Sequence, residues 1–149
     1  MESYSWPIPS LSSREFDALD VGGAGWLLAG DAAGLVDPIT REGIFFALLS
    51  GQFAADAVSS GASHPDRDYA ARLRGDVLAE LACAARFKRR FFQPAFNRLL
   101  LHALGRSAKI RSVMADLVTG AQSYRGLKWR LVRTFELGLG WEARRALGD

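Results

Sequence analysis

The pattern of apolar positions predicts a mainly α fold with a short β element near the N-terminus. Pro7 and Pro9 oppose a helix at the start of the chain, and "VGGAG" at 21–25 is typical of a turn, so we expect irregular structure over residues 1–25. The run from Trp26 to Ala29 is short and wholly apolar, which favours a strand buried on both faces of a parallel sheet. One strand cannot make a sheet, so this run requires neighbours that the chain does not visibly supply.

A long helix should follow, after a loop over 30–42. Its pattern predicts a start near Gly43 and an end by Gly61. Large apolar residues point in most directions around this helix, so we expect it to be buried all round. Small residues recur at every fourth position and give it one nearly smooth face that a backbone or ligand can approach closely: Gly43, Ala47, Gly51 and Ala55.

The remainder of the chain is predicted to be helical. Residues 59–68 are typical of a linker. The helix that begins after this linker, at Tyr69, should be interrupted at Pro94. The next helix should end at Gly105, and further helices are expected over 107–119 and 124–146. The apolar positions of the helix after the linker step by four, and those of the last helix do the same: Tyr69, Leu73, Val77, Leu81 and Ala85, then Leu127, Leu131, Phe135 and Leu139.

The loop after the apolar run carries the candidate chemistry. Glycines in "GDAAG" permit positive φ and let a ligand meet bare backbone, and Asp31 offers a pair of acceptors to sugar or polyol hydroxyls. Pro38 stiffens the second half of the loop, and the helix N-terminus at Gly43 favours a negatively charged group. These features fit a nucleotide cofactor with a polyol chain. An ordinary strand–turn–helix with Asp31 as a helix cap fits the residue types equally well.

The full stretch "GDAAGLVDPITREGIFFALLSGQFAADAV" is more specific. It resembles the second flavin-binding motif of FAD-dependent oxidoreductases, and most of all the geranylgeranyl reductase family, which shares its fold with aromatic hydroxylases. The resemblance is close over 26–58 and extends loosely to "WPIPSLS" upstream and "SYRGLKWRLV" downstream. It implies a Rossmann-like FAD domain, a substrate domain and a helical C-terminal part. The implied activity is reduction of isoprenoid carbon–carbon double bonds by reduced FAD.

The resemblance also implies roles for individual residues. Asp31, beside Gly30, would bind the ribityl chain of FAD, and Pro38 would lie near the flavin ring. The amides of Gly43 and Ile44 would face the pyrimidine edge, where reduced flavin carries negative charge. Hydride would come from the flavin, and the resemblance identifies no catalytic side chain or proton donor. The implied cofactor-binding residues are Gly30, Asp31, Ala32, Ala33, Gly34, Pro38, Gly43 and Ile44.

Two departures from the family pattern qualify this picture. Most members carry glycine where this chain has Arg41, so the arginine either strains a backbone with positive φ or adds a cation near the flavin. The dinucleotide fingerprint G-x-G-x-x-G is missing, because "GGAG" at 22–25 precedes its strand rather than following it. We therefore expect roughly the last third of such an enzyme. Residues 1–61 would be the C-terminal part of the FAD domain and 62–149 a helical C-terminal region, with the pyrophosphate loop on another segment or a separate chain.

Charge is distributed unevenly. Residues 1–61 contain two basic and eight acidic side chains, whereas eight Lys or Arg and no acidic residue lie between Arg86 and Arg111. The segment "RFKRRFF" at 86–92 fits an anionic membrane surface, a nucleic acid, or a solvated helix face whose phenylalanines point into the core. The last of these is favoured, because Phe87 and Phe91 share a face, and we expect no nucleic-acid partner.

The cysteine content, the N-terminal sequence and the absence of several known motifs bear on the cellular location and the class of protein. Cys83 is the sole cysteine, which fits a reducing compartment, and the N-terminus lacks the pattern of a signal peptide, so we expect a cytoplasmic chain with peripheral membrane contact left open. No apolar run is long enough to span a membrane. His64 and His102 have no neighbouring ligand cluster in sequence, so we expect no metal. Neither an esterase motif nor a P-loop occurs.

The sequence therefore predicts the C-terminal part of an FAD-dependent oxidoreductase of the geranylgeranyl reductase type, incomplete as an isolated chain. FAD would be its cofactor, an isoprenoid or lipid-like molecule its substrate, and an N-terminal FAD-binding chain its partner. The alternative is a non-catalytic basic helical module that binds a membrane surface or a partner protein. Apolar faces that lack their covering sheet should also make the chain self-associate.

Overall fold

A computed structural model describes residues 10–134 of the chain. The described part is mainly helical, with one short antiparallel pair of strands, so the predicted fold class is confirmed at this level. In chain order the elements are α1 (Ser13–Ala18), β1 (Gly22–Gly23), β2 (Trp26–Leu27), a 3-10 turn (Gly30–Ala33), α2 (Ile44–Ser59), α3 (Pro65–Leu73), a π-helical turn (Arg74–Leu78), α4 (Ala79–Phe91), α5 (Pro94–Arg106), α6 (Ala108–Val118) and α7 (Tyr124–Thr134).

The first described segment is more ordered than its sequence indicates. Ser12 and Glu15 form a reciprocal capping box that starts α1, so the expectation of irregular structure is wrong there. The helix is only six residues long, too short for its periodicity to be recognised. Pro7 and Pro9 lie outside the described residues.

The apolar run forms a hairpin strand and does not belong to a parallel sheet. Gly22 pairs with Leu27 and Gly23 with Trp26 in antiparallel register. A β-carbon on Gly23 would stand 2.9 Å from the indole nitrogen of Trp26, so the missing side chain makes room for that ring. Trp26 stays 47% exposed. The prediction of a strand buried on both faces is therefore wrong. The prediction of a parallel sheet is wrong as well, because the preceding glycines form an antiparallel partner strand.

Helix α2 begins directly after Gly43 and ends at Ser59, as predicted. Only one side of it is buried, at Ser50, Phe53 and Ala57. The prediction of a helix buried all round is wrong within the described residues, because no described element covers the opposite side. The large apolar residues exposed along α2 are Ile44, Phe45, Leu48 and Val58, with exposures of 75, 59, 72 and 66%.

Helices α3 and α4 run on from each other through the π-helical turn. Pro65 occupies the first turn of α3, so the helix starts inside the predicted linker. Of the predicted stripe, Tyr69, Leu73, Val77 and Leu81 are fully buried, whereas Ala85 is half-buried. The wider turn also buries Leu78. This stripe packs in one hydrophobic core with residues of α1, the residue before β1, the 3-10 turn and the loop after it, α2 and the start of α4. The core residues are Phe16, Val21, Ala33, Leu35, Phe53, Ala57, Tyr69, Leu73, Val77, Leu78, Leu81 and Ala82.

The chain clusters into two compact units that divide between Arg86 and Phe87. Helix α3 packs against α2 and β1 within the first unit. The end of a cofactor domain at residue 61 stays a prediction.

The second unit contains α5, α6 and α7. Pro94 starts α5 after α4 has ended at Phe91, as predicted, and the side chain of Ser107 caps α6. The rings of Phe87, Phe91 and Phe96 contact one another with centroids 5.8 Å apart.

The last predicted helix is described over its first part only. Leu127 is buried on α7, whereas Phe135 and Leu139 lie outside the described residues. Among the described helices, none is both long and apolar enough to cross a bilayer.

Candidate functional site

A cavity of about 520 Å³ opens where β2 leads through the 3-10 turn toward α2. Its wall combines the loop with the first turn of the helix. It is lined by Ala29, Gly30, Asp31, Val36, Arg41, Gly43, Ile44 and Ala47. Four of the predicted cofactor-binding residues are thus brought together: Gly30, Asp31, Gly43 and Ile44.

The glycines of the loop are required by its geometry. Gly30 has φ +55°, and a β-carbon there would lie 3.0 Å from the β-carbon of Ala47 on α2. Gly34 has φ +63°, and its amide donates to the carbonyl of Asp31 at 3.0 Å. These positions fold the chain tightly against the helix. The predicted close approach to the smooth face of α2 is therefore seen at Ala47.

Asp31 lies at the mouth of the cavity, with its side chain exposed. One carboxylate oxygen stands 3.3 Å from the position that a β-carbon on Gly43 would occupy. Helix α2 has no capping bond from the side chain of its N-cap residue, and the amide of Phe45 donates instead to Glu42 at 2.8 Å. Within residues 10–134 no amide of α2 donates to Asp31, so the interpretation of Asp31 as the cap of this helix is wrong.

The N-terminus of α2 keeps hydrogen-bonding capacity. Within residues 10–134, the backbone amides of Gly43 and Ile44 donate no hydrogen bond. Both residues line the cavity, and Ile44 is 75% exposed. Two donors at a helix N-terminus can therefore receive an anion or a carbonyl oxygen. The carboxylate of Glu42 offsets part of the positive helix dipole at this point.

Arg41 adopts φ +65°, in the left-handed region that disfavours a side chain. It also lines the cavity. The interpretation of Arg41 as a strained backbone position is therefore confirmed, and its role as a cation near the flavin stays a prediction.

The turn that positions Arg41 depends on Asp37, which sequence reasoning missed. Asp37 is 5% exposed, and its Oδ1 accepts from the amides of Ile39 at 2.7 Å and Thr40 at 3.0 Å. Its own backbone amide donates to the carbonyl of Glu42 at 2.8 Å, and its carbonyl accepts from the amide of Arg41 at 3.0 Å. The Asp-Pro pair in the sequence is the turn signal that could have indicated this role.

Two buried hydroxyls hold the strand end and the loop in place. Ser50 is fully buried on α2, and its Oγ accepts from the amide of Gly30 at 2.9 Å and donates to the carbonyl of Ala47 at 3.1 Å. Tyr69 donates to the carbonyl of Leu28 at 2.5 Å. Burial raises the pKa of the Tyr69 hydroxyl, and the nearby polar side chain of Ser50 opposes this rise. Apolar periodicity predicted Tyr69 only as a core residue.

Four predicted residues lie away from the cavity wall. Ala33, Gly34 and Pro38 are buried, and Ala32 is exposed. Their involvement in cofactor binding stays a prediction. In the described part of the chain, no cluster of three His, Cys, Asp or Glu residues could hold a metal ion.

Comparison with curated proteins identifies distant relatives. The chain is 31% identical over 110 residues to the flavin-dependent halogenase armH1 of Armillaria mellea, which covers 74% of this chain and 19% of that protein. It is 31% identical over 103 residues to the flavin-dependent halogenase armH3 of the same organism, covering 69% and 18%. It is 46% identical over 41 residues to a menaquinone reductase of Mycolicibacterium smegmatis, covering 28% and 10%.

The chain therefore spans about a fifth of the length of the halogenases that it matches. No family model and no solved structure matches it. The predicted similarity to flavin-dependent enzymes is confirmed at this coarse level, whereas the geranylgeranyl reductase family is not confirmed.

Proposed function

We propose that this chain forms part of the flavin site of an FAD-dependent oxidoreductase. The observation that carries the proposal is the meeting of Asp31, the bare backbone of Gly30 and Gly43, and the N-terminus of α2 at one cavity. The similarity to flavin-dependent halogenases supports flavin as the class of cofactor. FAD in particular, and the Rossmann-like origin of the segment, are parts of the proposal.

The residues at this cavity fit the chemistry of a flavin. The exposed carboxylate of Asp31 would accept hydrogen bonds from ribityl hydroxyls, and such bonds to a charged acceptor are stronger than neutral ones. The amides of Gly43 and Ile44 would donate to the pyrimidine edge. Arg41 would add positive charge close to that edge, where negative charge develops on reduction.

The bound flavin would supply the hydride chemistry of the reaction. The contribution of this chain would be to orient the cofactor and to stabilise charge with a helix terminus and a cation. We assign no catalytic side chain among the described residues.

At a finer level, we propose reduction of an isoprenoid double bond, as in geranylgeranyl reductases. The sequence "REGI" at the entry to α2 supports this assignment through its resemblance to that family. The match to a menaquinone reductase supports a prenylated, lipid-like substrate, because a menaquinone carries an isoprenoid chain.

A second candidate is flavin-dependent halogenation, favoured by the two long matches to halogenases. Reduction and halogenation give different products from the same cofactor class. Once the chain has been assembled with an FAD-binding partner, mass spectrometry separates them. Saturation of a polyprenyl substrate adds two hydrogen atoms per double bond, whereas halogenation replaces hydrogen by the halogen.

The experiment that tests the flavin site is titration of the chain with FAD, followed by flavin fluorescence and by retention of FAD in gel filtration. Asp31→Asn keeps the shape of the side chain and removes its charge. We expect it to weaken binding about 10- to 100-fold, the range expected on loss of a charged hydrogen bond. Asp76→Asn makes the same change at an exposed residue of the π-helical turn and should bind like the wild type. Equal affinity of the wild type and Asp31→Asn would contradict the proposal.

A further inference from the structure

We propose that the exposed face of α7 binds an anionic lipid surface, with Trp129 entering the interfacial layer. This proposal concerns the second unit and is independent of the flavin site. It rests on the charge of the segment, on the arrangement of exposed residues along α7, and on a cavity beside Trp129.

The charge of this segment is strongly one-sided. Residues 87–134 contain eleven Lys or Arg and a single acidic residue, Asp116, which gives a net charge of +10. Asp116 is paired with Arg130 in a salt bridge. A surface of this charge attracts a negatively charged partner over roughly a Debye length, about 8 Å at physiological ionic strength.

Helix α7 has a buried apolar side and an exposed side that carries both cationic and apolar residues. Tyr124 and Leu127 are buried on one side of the helix. The other side presents Trp129, which is 68% exposed, and Val132, which is 56% exposed. Three exposed cations share this side, because each lies four residues from Trp129 or Val132: Arg125, Lys128 and Arg133. We name this set of five residues the α7 face.

A cavity of about 650 Å³ adjoins the α7 face and provides room for a headgroup. It is lined by Gln122, Gly126, Trp129, Arg130 and Arg133. Arg130 is held in position by Asp116 and by a 3.0 Å hydrogen bond from its Nη1 to Oε1 of Gln122. Arg133 and Trp129 belong to both the cavity and the α7 face. A phosphate at this position would therefore meet guanidinium groups in a cavity shared with an aromatic ring that prefers the interfacial layer.

The apolar residues of the α7 face favour a lipid surface over a nucleic acid. Trp and Val side chains gain free energy when they leave water for the boundary between headgroups and acyl chains. Duplex nucleic acid offers phosphate to the cations but no comparable apolar layer for Val132. The combination of a central Trp, an adjacent Val and flanking cations is that of an interfacial helix.

The test measures partitioning of the full chain onto vesicles of phosphatidylcholine with and without phosphatidylglycerol. We expect binding to the anionic vesicles that weakens as salt is added. Neutralising two cations in Arg125→Gln/Arg133→Gln should lower the partition coefficient about 25-fold, at about fivefold per basic residue. The matched control Arg14→Gln/Arg67→Gln removes two exposed arginines of the first unit and should leave partitioning unchanged.

The insertion of Trp129 has its own measurement. Brominated acyl chains quench only a tryptophan that reaches the bilayer, so quenching should be present in the wild type and reduced in Trp129→Phe. Trp129→Phe should still partition, whereas Trp129→Gln should partition more weakly. Circular dichroism checks that each variant retains its helices.

Several results would overturn the proposal. These are equal binding to neutral and anionic vesicles, partitioning unaffected by Arg125→Gln/Arg133→Gln, an equal loss in the control variant, or quenching that Trp129→Phe leaves unchanged. A separate experiment titrates a labelled DNA duplex with the chain at the same ionic strength. Tighter binding to that duplex than to anionic vesicles, lost in Arg125→Gln/Arg133→Gln, would assign the α7 face to nucleic acid instead.

Discussion

The hydroxyl of Ser50 accepts a hydrogen bond from the amide of Gly30, at 2.9 Å, and so joins the interior of α2 to the loop twenty residues earlier. Both residues are buried. Ser50→Ala should cost about 1–3 kcal/mol in the free energy of unfolding, because it leaves a buried amide without its partner. Urea denaturation measures the loss, and Ser59→Ala, at an exposed position of the same helix, is the control. Equal stability of Ser50→Ala and the wild type would contradict this role.

Gly43 should be needed for the position of Asp31 rather than for its own backbone conformation, since its φ of −128° is open to any residue. A β-carbon in Gly43→Ala would stand 3.3 Å from the carboxylate of Asp31 and 3.4 Å from Val36. We expect about tenfold weaker FAD binding, or more, with little change in stability. FAD titration and urea denaturation of the same sample measure the two effects.

Gly51→Ala is the matched control, because a β-carbon at this exposed position of α2 meets nothing within 4 Å. It should leave FAD binding unchanged and stabilise the chain by about 0.5–1 kcal/mol, since alanine favours a helix interior. Equal FAD affinities for the alanine variants of Gly43 and Gly51 would show that Asp31 is not placed by Gly43.

The backbone strain at Arg41 can be measured by comparing two variants with a shortened side chain, Arg41→Gly and Arg41→Ala. At φ +65°, Arg41→Gly should be more stable than Arg41→Ala by about 0.5–1 kcal/mol. Glycine relieves the backbone strain, and its greater conformational entropy in the unfolded chain offsets part of this gain. Thermal unfolding measures this difference. Both variants should bind FAD more weakly than Arg41→Lys, which keeps the cation. Equal stability of the glycine and alanine variants would exclude strain at this position.

Tyr69 should make stability depend on alkaline pH. Its pKa lies above the ordinary value of 10.0 in the folded chain, because burial penalises the phenolate. The unfolded chain therefore loses this proton first as pH rises. The stabilisation is complete below pH 10 and is lost as pH rises from there through the folded pKa.

Tyr69→Phe isolates this effect. It removes the hydrogen bond to Leu28 and should cost about 1 kcal/mol at pH 8. Above pH 10 the wild type should lose stability faster than the variant, so the gap between them narrows. Urea denaturation over this pH range measures the gap, and a constant gap would contradict a raised pKa.

The exposed apolar side of α2 should cause self-association. Ile44, Leu48 and Val58 are each at least 66% exposed. Sedimentation velocity of the isolated chain should show dimers or larger species. Leu48→Gln/Val58→Gln should shift the distribution toward monomer, because it removes apolar surface that water would otherwise contact. A monodisperse wild-type monomer would contradict this expectation.

The helices were largely predictable from sequence, because their signals are local. Helix α2 begins directly after Gly43 and ends before Gly61, as predicted, and Pro94 separates α4 from α5. The hairpin of Trp26 was not predictable from its apolar run, because its partner is a pair of glycines that carry no strand pattern. The exposure of α2 was missed for a related reason. Periodicity reports which residues can be buried, and not whether another element is present to cover them.

The candidate site was predictable in part. Asp31, Gly30 and Gly43 were identified from the motif, and the cavity brings them together. The supporting groups were missed, since Ser50 and Tyr69 act through buried hydrogen bonds to residues 20 and 41 positions away. Contacts over such distances depend on how α2 and α3 pack, which the local pattern does not contain.

The most direct test of the account is the FAD affinity of the wild type compared with that of Asp31→Asn under one set of conditions. The account predicts measurable binding by the wild type, about 10- to 100-fold weaker in Asp31→Asn, with Asp76→Asn unchanged. FAD binding of equal affinity in the wild type and Asp31→Asn would contradict a flavin site at this cavity.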